Sequence, residues 1–138
     1  MPNGRGYSLT PVAYIRSKLK KRKNAPRQGY LGAPGAWVEV LPAFSRCLHG
    51  FAAGGEVILI TWLHEARRNV TKVHPGGDKN TPLTGVFLTR SPDRPNPLGL
   101  HRVRVLQLDG LRFEVGPIEA IDGTPVVDIK PVLSKSCD

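Results

Sequence analysis

At 138 residues, 40% of them hydrophobic and 22% charged, the chain has the size and composition of one globular domain that folds without metal or disulfide staples. The only cysteines, Cys47 and Cys137, and four scattered histidines form no ligand set, so no structural metal is expected. A longest apolar run of only Val57 to Leu63 and an N-terminus without an apolar core argue against a membrane span or secretory signal, and the net charge is +9. They point instead to a cytoplasmic protein with an anionic partner.

Fifteen glycines and 13 prolines favour many short elements joined by turns. Val12 to Arg16 alternates as a first strand, and a basic flank surrounds it. Arg5, Arg16, Lys18, Lys20, Lys21, Arg22, Lys23 and Arg27 all precede the first acid, Glu39. Such a flank attracts phosphate backbones without reading sequence, which makes RNA the natural partner and Lys20, Lys21, Arg22 and Lys23 the RNA-binding candidates. The same run also reads as a solvated, partly flexible segment over 17–27 that only keeps the chain soluble.

Ala36 to Leu41 alternates as a second strand, and Pro42 to Phe51 is the one stretch that looks helical. Within it Cys47 is expected as a buried small hydrophobe, whereas Cys137 belongs to a frayed tail. Gly54-Gly55 leads into Glu56 to Leu63, an apolar, β-branched run typical of a buried central strand. Arg67 to Thr81, with Pro75-Gly76-Gly77-Asp78, is a loop by composition, and Leu83 to Thr89 resumes strand character. Arg90-Ser91-Pro92-Asp93-Arg94-Pro95-Asn96-Pro97-Leu98-Gly99-Leu100 then sets three prolines among two arginines and an asparagine. Each proline fixes φ and biases the preceding residue toward extended geometry, so the loop is stiff. It is either a pre-organised site or a proline-stiffened connection with solvated charges.

Three strands follow: Gly99 to Leu108, Leu111 to Ile118 after the Asp109-Gly110 turn, and Val126 to Leu133 after Asp122-Gly123. Short strands without repeats or a long amphipathic helix predict a mainly all-β chain, a small single-sheet antiparallel β-barrel with one or two short helices. One domain over 1–138 is expected.

Six blocks in order, Val12 to Ser17, Pro26 to Gly29, Trp62 to His64, Gly85 to Pro92, Arg94 to Leu100 and Asp122 to Pro131, resemble the TrmO family, also called the TsaA-like or YaeB-like domain. The resemblance covers nearly the whole chain. It implies a β-barrel that binds S-adenosyl-L-methionine, in dimeric enzymes that methylate N6 of threonylcarbamoyl-adenosine next to the anticodon of tRNA. By the family pattern the cofactor pocket is lined by Gln28, Gly29 and Tyr30, by His64 and Glu65, by Arg90 and Leu100, and by Asp122, Gly123, Thr124 and Pro125. In that pattern Arg90 suits the methionine carboxylate, Glu65 its ammonium or a ribose hydroxyl, and Tyr30 the adenine ring.

Methyl transfer from a sulfonium is an in-line displacement, so the protein mainly places the acceptor, aligns it and excludes water. Asn96, between two prolines, is the candidate to accept a hydrogen bond from the acceptor amine, with Asp122 as its rival. Arg94 is assigned to phosphate or substrate, because a second arginine at the cofactor would crowd the sulfonium. Bacterial members with tRNA activity usually carry a second, C-terminal domain; none is expected in this chain, and the basic run is expected to replace its RNA contacts. A non-catalytic S-adenosylmethionine- or RNA-binding module and a small-molecule methyltransferase remain the alternative functions.

Overall fold

The computed structural model describes residues 6–26 and 33–133. Its strands are β1 (Ala13–Ser17), β2 (Ala36–Val40), β3 (Glu56–Trp62), β4 (Lys72–Val73), β5 (Thr84–Gly85), β6 (Leu98–Asp109), β7 (Arg112–Gly116) and β8 (Pro125–Pro131). Alternation of side chains decides what these strands build. In β1, Ala13, Ile15 and Ser17 are buried while Arg16 is exposed, and in β6 Gly99, His101, Val103 and Val105 alternate with exposed Leu98, Leu100, Arg102 and Arg104. A sheet with one buried face and no layer to cover it curls until its edges meet. Six strands close as β1-β2-β7-β6-β3-β8, each pairing antiparallel. The core fills the interior, with Ile15, Val38, Leu59, Val103, Phe113, Val115 and Val126 almost wholly buried.

Three expectations change. Leu83 to Thr89 is not a strand: only Thr84–Gly85 pairs, with β4, and a 3-10 turn over Val86–Leu88 follows. Only Val86 of that turn is buried, so Phe87 and Leu88 have no sheet face to join. β4 itself lies inside the stretch read as loop, and with β5 it forms a small second sheet. Among the described residues the helices are short 3-10 turns, at Arg22–Asn24, Pro42–Leu48, Pro75–Gly77 and Val86–Leu88. Cys47 in the second of these is exposed, because the turn buries none of its residues fully and turns its cysteine outward.

The register fixes the two ends of the barrel. Ser17 pairs with Ala36, Ala36 with Val115, Arg104 with Gly116, Trp62 with Leu98 and Thr61 with Val126. One rim is therefore made by the C-terminal ends of β1, β3 and β7 and the N-terminal ends of β2, β6 and β8. Connections 18–35, 63–97 and 117–124 all leave from and return to this upper rim. The lower mouth carries connection 41–55 and an apolar cavity of about 400 Å³ lined by Val12, Val40, Phe44, Leu48, Phe51 and Ile129.

Candidate functional site

Segments far apart in sequence meet at the upper rim. The segment after β1 runs across two of its turns and is tied to both by ion pairs. Lys20 Nζ lies 3.2 Å from Asp122 Oδ2, and Arg22 Nη2 lies 2.7 Å from Asp93 Oδ1. Arg22 Nη1 also donates to the carbonyl of Glu65 at 3.3 Å. The structure thus brings the basic run, the end of β3, the proline loop and the Asp122 turn together, and Lys21 and Lys23 stay exposed.

Asp93 is the hub of this arrangement. Its carboxylate is 13% exposed and accepts the backbone N–H of Arg67 at 2.8 Å besides the Arg22 pair, with Arg67 Nη2 at 3.6 Å. Burial alone would raise its pKa, but the hydrogen bonds from Arg22 and the Arg67 backbone, with the charges of both arginines, hold it below the ordinary carboxylate value. At Asp122 the backbone N–H of Ser17 contributes most, reaching Oδ1 at 2.9 Å. With Lys20 it outweighs partial burial and lowers that carboxyl too. Asp122 therefore fastens the end of β1 to the start of β8.

The proline loop is braced from within. Arg94 Nη1 donates to the carbonyls of Thr89 at 3.0 Å and Ser91 at 3.1 Å, and Nη2 to that of Val86 at 2.6 Å. Three carbonyls thus engage a side chain that the sequence reading aimed at phosphate or substrate, and Arg94 acts in the structure as a brace. Arg90 is exposed, with no ion-pair or hydrogen-bond partner among the described residues. Asn96 is exposed as well. Its Oδ1 accepts from Arg68 Nη2 at 3.0 Å, while Arg68 Nε donates to the Pro95 carbonyl at 2.7 Å and its guanidinium lies 5.1 Å from the centre of the Trp62 ring. Arg68 fixes the asparagine amide with its oxygen toward the arginine, and a carbonyl oxygen keeps a second lone pair for another donor.

The remaining candidates divide. His64 and Glu65 are exposed just past β3, with His64 Nε2 3.9 Å from Glu65 Oε2. Gly123 has φ +83°, donates its N–H to the Ile15 carbonyl at 2.7 Å and leaves open space beside its Cα. A ligand can approach that backbone closely. Thr124 is buried and closes the turn on the Ile121 carbonyl at 2.7 Å, and Pro125 opens β8. Leu100 points to the outer face of β6, opposite Ile60. Gln28, Gly29 and Tyr30 lie outside the described residues.

Sequence reasoning missed Asp93, Arg68, Gly99 and a trio formed by buried Thr61 and His101 with part-buried Glu119. Asp93 and Gly99 stood inside the quoted proline loop, overshadowed by its arginines. His101 had a legible signal, a histidine in phase with the inward positions Val103 and Val105.

Comparison with known proteins places the sequence and the barrel in one family. The model of the tRNA-methyltransferase O N-terminal domain matches residues 14–138. A Pyrococcus horikoshii protein named "Probable S-adenosyl-L-methionine-binding protein" is 41% identical over 128 residues, covering 90% of this chain and 81% of its own. An S-adenosyl-L-methionine-binding protein of Archaeoglobus fulgidus is 36% identical over 122 residues, covering 88% of this chain and 86% of its own. The crystal structure of TrmO from Pseudomonas aeruginosa superposes with a TM-score of 0.73 at 32% identity. That match covers 96% of this chain but only 58% of the solved one, so the chain spans under two thirds of that protein. With a family model matched over almost its whole length and a barrel shared with solved members, the chain belongs to the tRNA-methyltransferase O family.

Proposed function

We propose that the upper rim binds S-adenosyl-L-methionine and that the chain is a methyltransferase acting on tRNA, at N6 of threonylcarbamoyl-adenosine next to the anticodon. The observation that carries this reading is convergence: the described candidates, from four stretches of sequence, lie in the connections of one rim or at the strand ends that form it. The residues fit the cofactor chemically. Arg90 offers an uncommitted guanidinium to a carboxylate, Gly123 a backbone that a ligand can approach, and Glu65 an exposed carboxylate to an ammonium or ribose hydroxyl. Bound there, the cofactor supplies an activated methyl group.

The chain's own part is placement. Asn96 Oδ1, held by Arg68, has one lone pair for the N–H of an acceptor amine, and the loop that carries it is stiffened by prolines and braced by Arg94. Exposed Lys21 and Lys23 meet the phosphate backbone. A tRNA substrate places the protein in the cytoplasm. Leu98 and Leu100, opposite Trp62 and Ile60 on the outer face of β3 and β6, support a homodimer as the working form.

The test follows labelled S-adenosylmethionine in the presence of total tRNA or a metabolite pool. Label in tRNA, lost when Asn96→Ala is substituted while cofactor affinity holds, is the expected result. Label in a metabolite moves the chain to small-molecule methylation. Tight cofactor binding with no transfer makes it a binding module.

A further inference from the structure

Beneath the rim, inside the barrel, lies a hydrogen-bonded chain to which the proposed function gives no task. His101 on β6 has a side chain only 3% exposed, and both of its ring nitrogens are engaged. Nε2 lies 2.7 Å from the hydroxyl of Thr61, itself fully buried on β3, and Nδ1 lies 2.5 Å from Glu119 Oε1. An imidazole whose Nδ1–H donates to a carboxylate has Nε2 free to accept the threonine hydroxyl, so both ring nitrogens have a partner. Glu119 sits on connection 117–124, the strap that crosses from the end of β7 to the Asp122 turn. Its neighbours Ile118, Ala120 and Ile121 are buried apolar residues, and Glu119 supplies the strap's side-chain hydrogen bond into the barrel interior.

We infer that His101 is a positioning residue that locks two walls of the cofactor pocket to each other, the Asp122–Pro125 turn through Glu119 and the His64–Glu65 end of β3 through Thr61. This rests on the reading that the cofactor sits at this rim. Thr61 is three residues before His64, and Glu119 three before Asp122, so each contact acts at the root of a wall. The proline loop is seated on the same chain. A Cβ added at Gly99 would lie 2.5 Å from Thr61 Oγ1 and 2.7 Å from His101 Nε2, so the start of β6, where the loop enters the sheet, rests directly on the pair. A largely buried, hydrogen-bonded polar chain specifies one arrangement of the elements it joins. Here it holds connection 117–124 and both roots of connection 63–97 in mutual register, where an apolar interior would let the strap slide.

The full-length chain is compared with Thr61→Val, Glu119→Ala, Glu119→Gln and the Thr61→Val/Glu119→Ala double variant, at a temperature where circular dichroism shows all of them folded. Two readouts are taken: calorimetric affinity for S-adenosylmethionine, and hydrogen exchange of the Gly123 and Thr124 amides without cofactor. Thr61→Val and Glu119→Ala should each weaken binding by about tenfold and speed exchange at the turn, with β2 and β7 unchanged. The double variant should lose little more than either single, because the chain acts as a unit. Glu119→Gln keeps an acceptor for Nδ1–H and should recover both readouts. Lower melting temperatures with unchanged affinity and turn exchange would reduce the trio to core packing and overturn the inference. A Gln variant as impaired as the Ala variant would overturn it too, by showing that the carboxylate charge is what matters. Wild-type chain that binds no S-adenosylmethionine refutes the cofactor reading alone, since the exchange data still decide the positioning role.

Discussion

Gly99 and Asp93 carry the tightest constraints of the proline loop, and both are testable as single substitutions. A methyl group at Gly99 has nowhere to go, because the atoms it meets are held by the Thr61–His101 hydrogen bond and the Leu63 side chain. Gly99→Ala should lower stability by about 1–3 kcal/mol, the usual range for overpacking, read as a fall in melting temperature. Asp93 has its pKa lowered on folding, so its contribution is fully present above the unfolded carboxylate value, about 3.9, and is lost as pH falls through the folded one. Asp93→Asn should therefore be less stable than wild type at neutral pH, with the gap closing on acidification below that value. A gap independent of pH would show that the ion pairs with Arg22 and Arg67 contribute nothing.

The basic segment after β1 splits into paired and exposed side chains once its neighbours are known. Lys20 and Arg22 are turned toward Asp122 and Asp93, so they hold the segment on the rim, while Lys21 and Lys23 face outward. Lys21→Ala with Lys23→Ala should lower the slope of RNA affinity against salt by about two, with little change in the melting temperature. Arg22→Ala should instead reduce stability and cofactor affinity, because it removes the pair on Asp93 and the bond to the Glu65 carbonyl. A run of like charges reads in sequence as one cationic patch. Which of its members are neutralised depends on acids 70 and more residues away, which no local pattern announces. The proline loop was legible as a stiff element for the opposite reason, since a proline restricts its own φ and its neighbour wherever the chain goes.

For the molecule as a whole, closure of the barrel leaves no free edge in that sheet but puts a row of apolar side chains outside. Leu98 and Leu100 are 43% and 46% exposed beside Trp62 and Ile60, and if the proposed homodimer uses this face, Leu98→Asp with Leu100→Asp should give a monomer in sedimentation velocity. An unchanged mass would remove this face as the interface. Among the described residues no helix is long and apolar enough to cross a membrane. Alternating apolar positions, Gly and Pro turns and the absence of helical periodicity determined the class of fold from sequence, because side-chain period is a local property of the backbone. The positions of β1, β2, β3, β6, β7 and β8 followed within a few residues. Tertiary structure decided which side chains are free and which are spent: Arg94 on three carbonyls, Lys20 and Arg22 on rim carboxylates, and His101 between Thr61 and Glu119. Those outcomes depend on the register and closure of the barrel, which bring distant polar groups within hydrogen-bond reach.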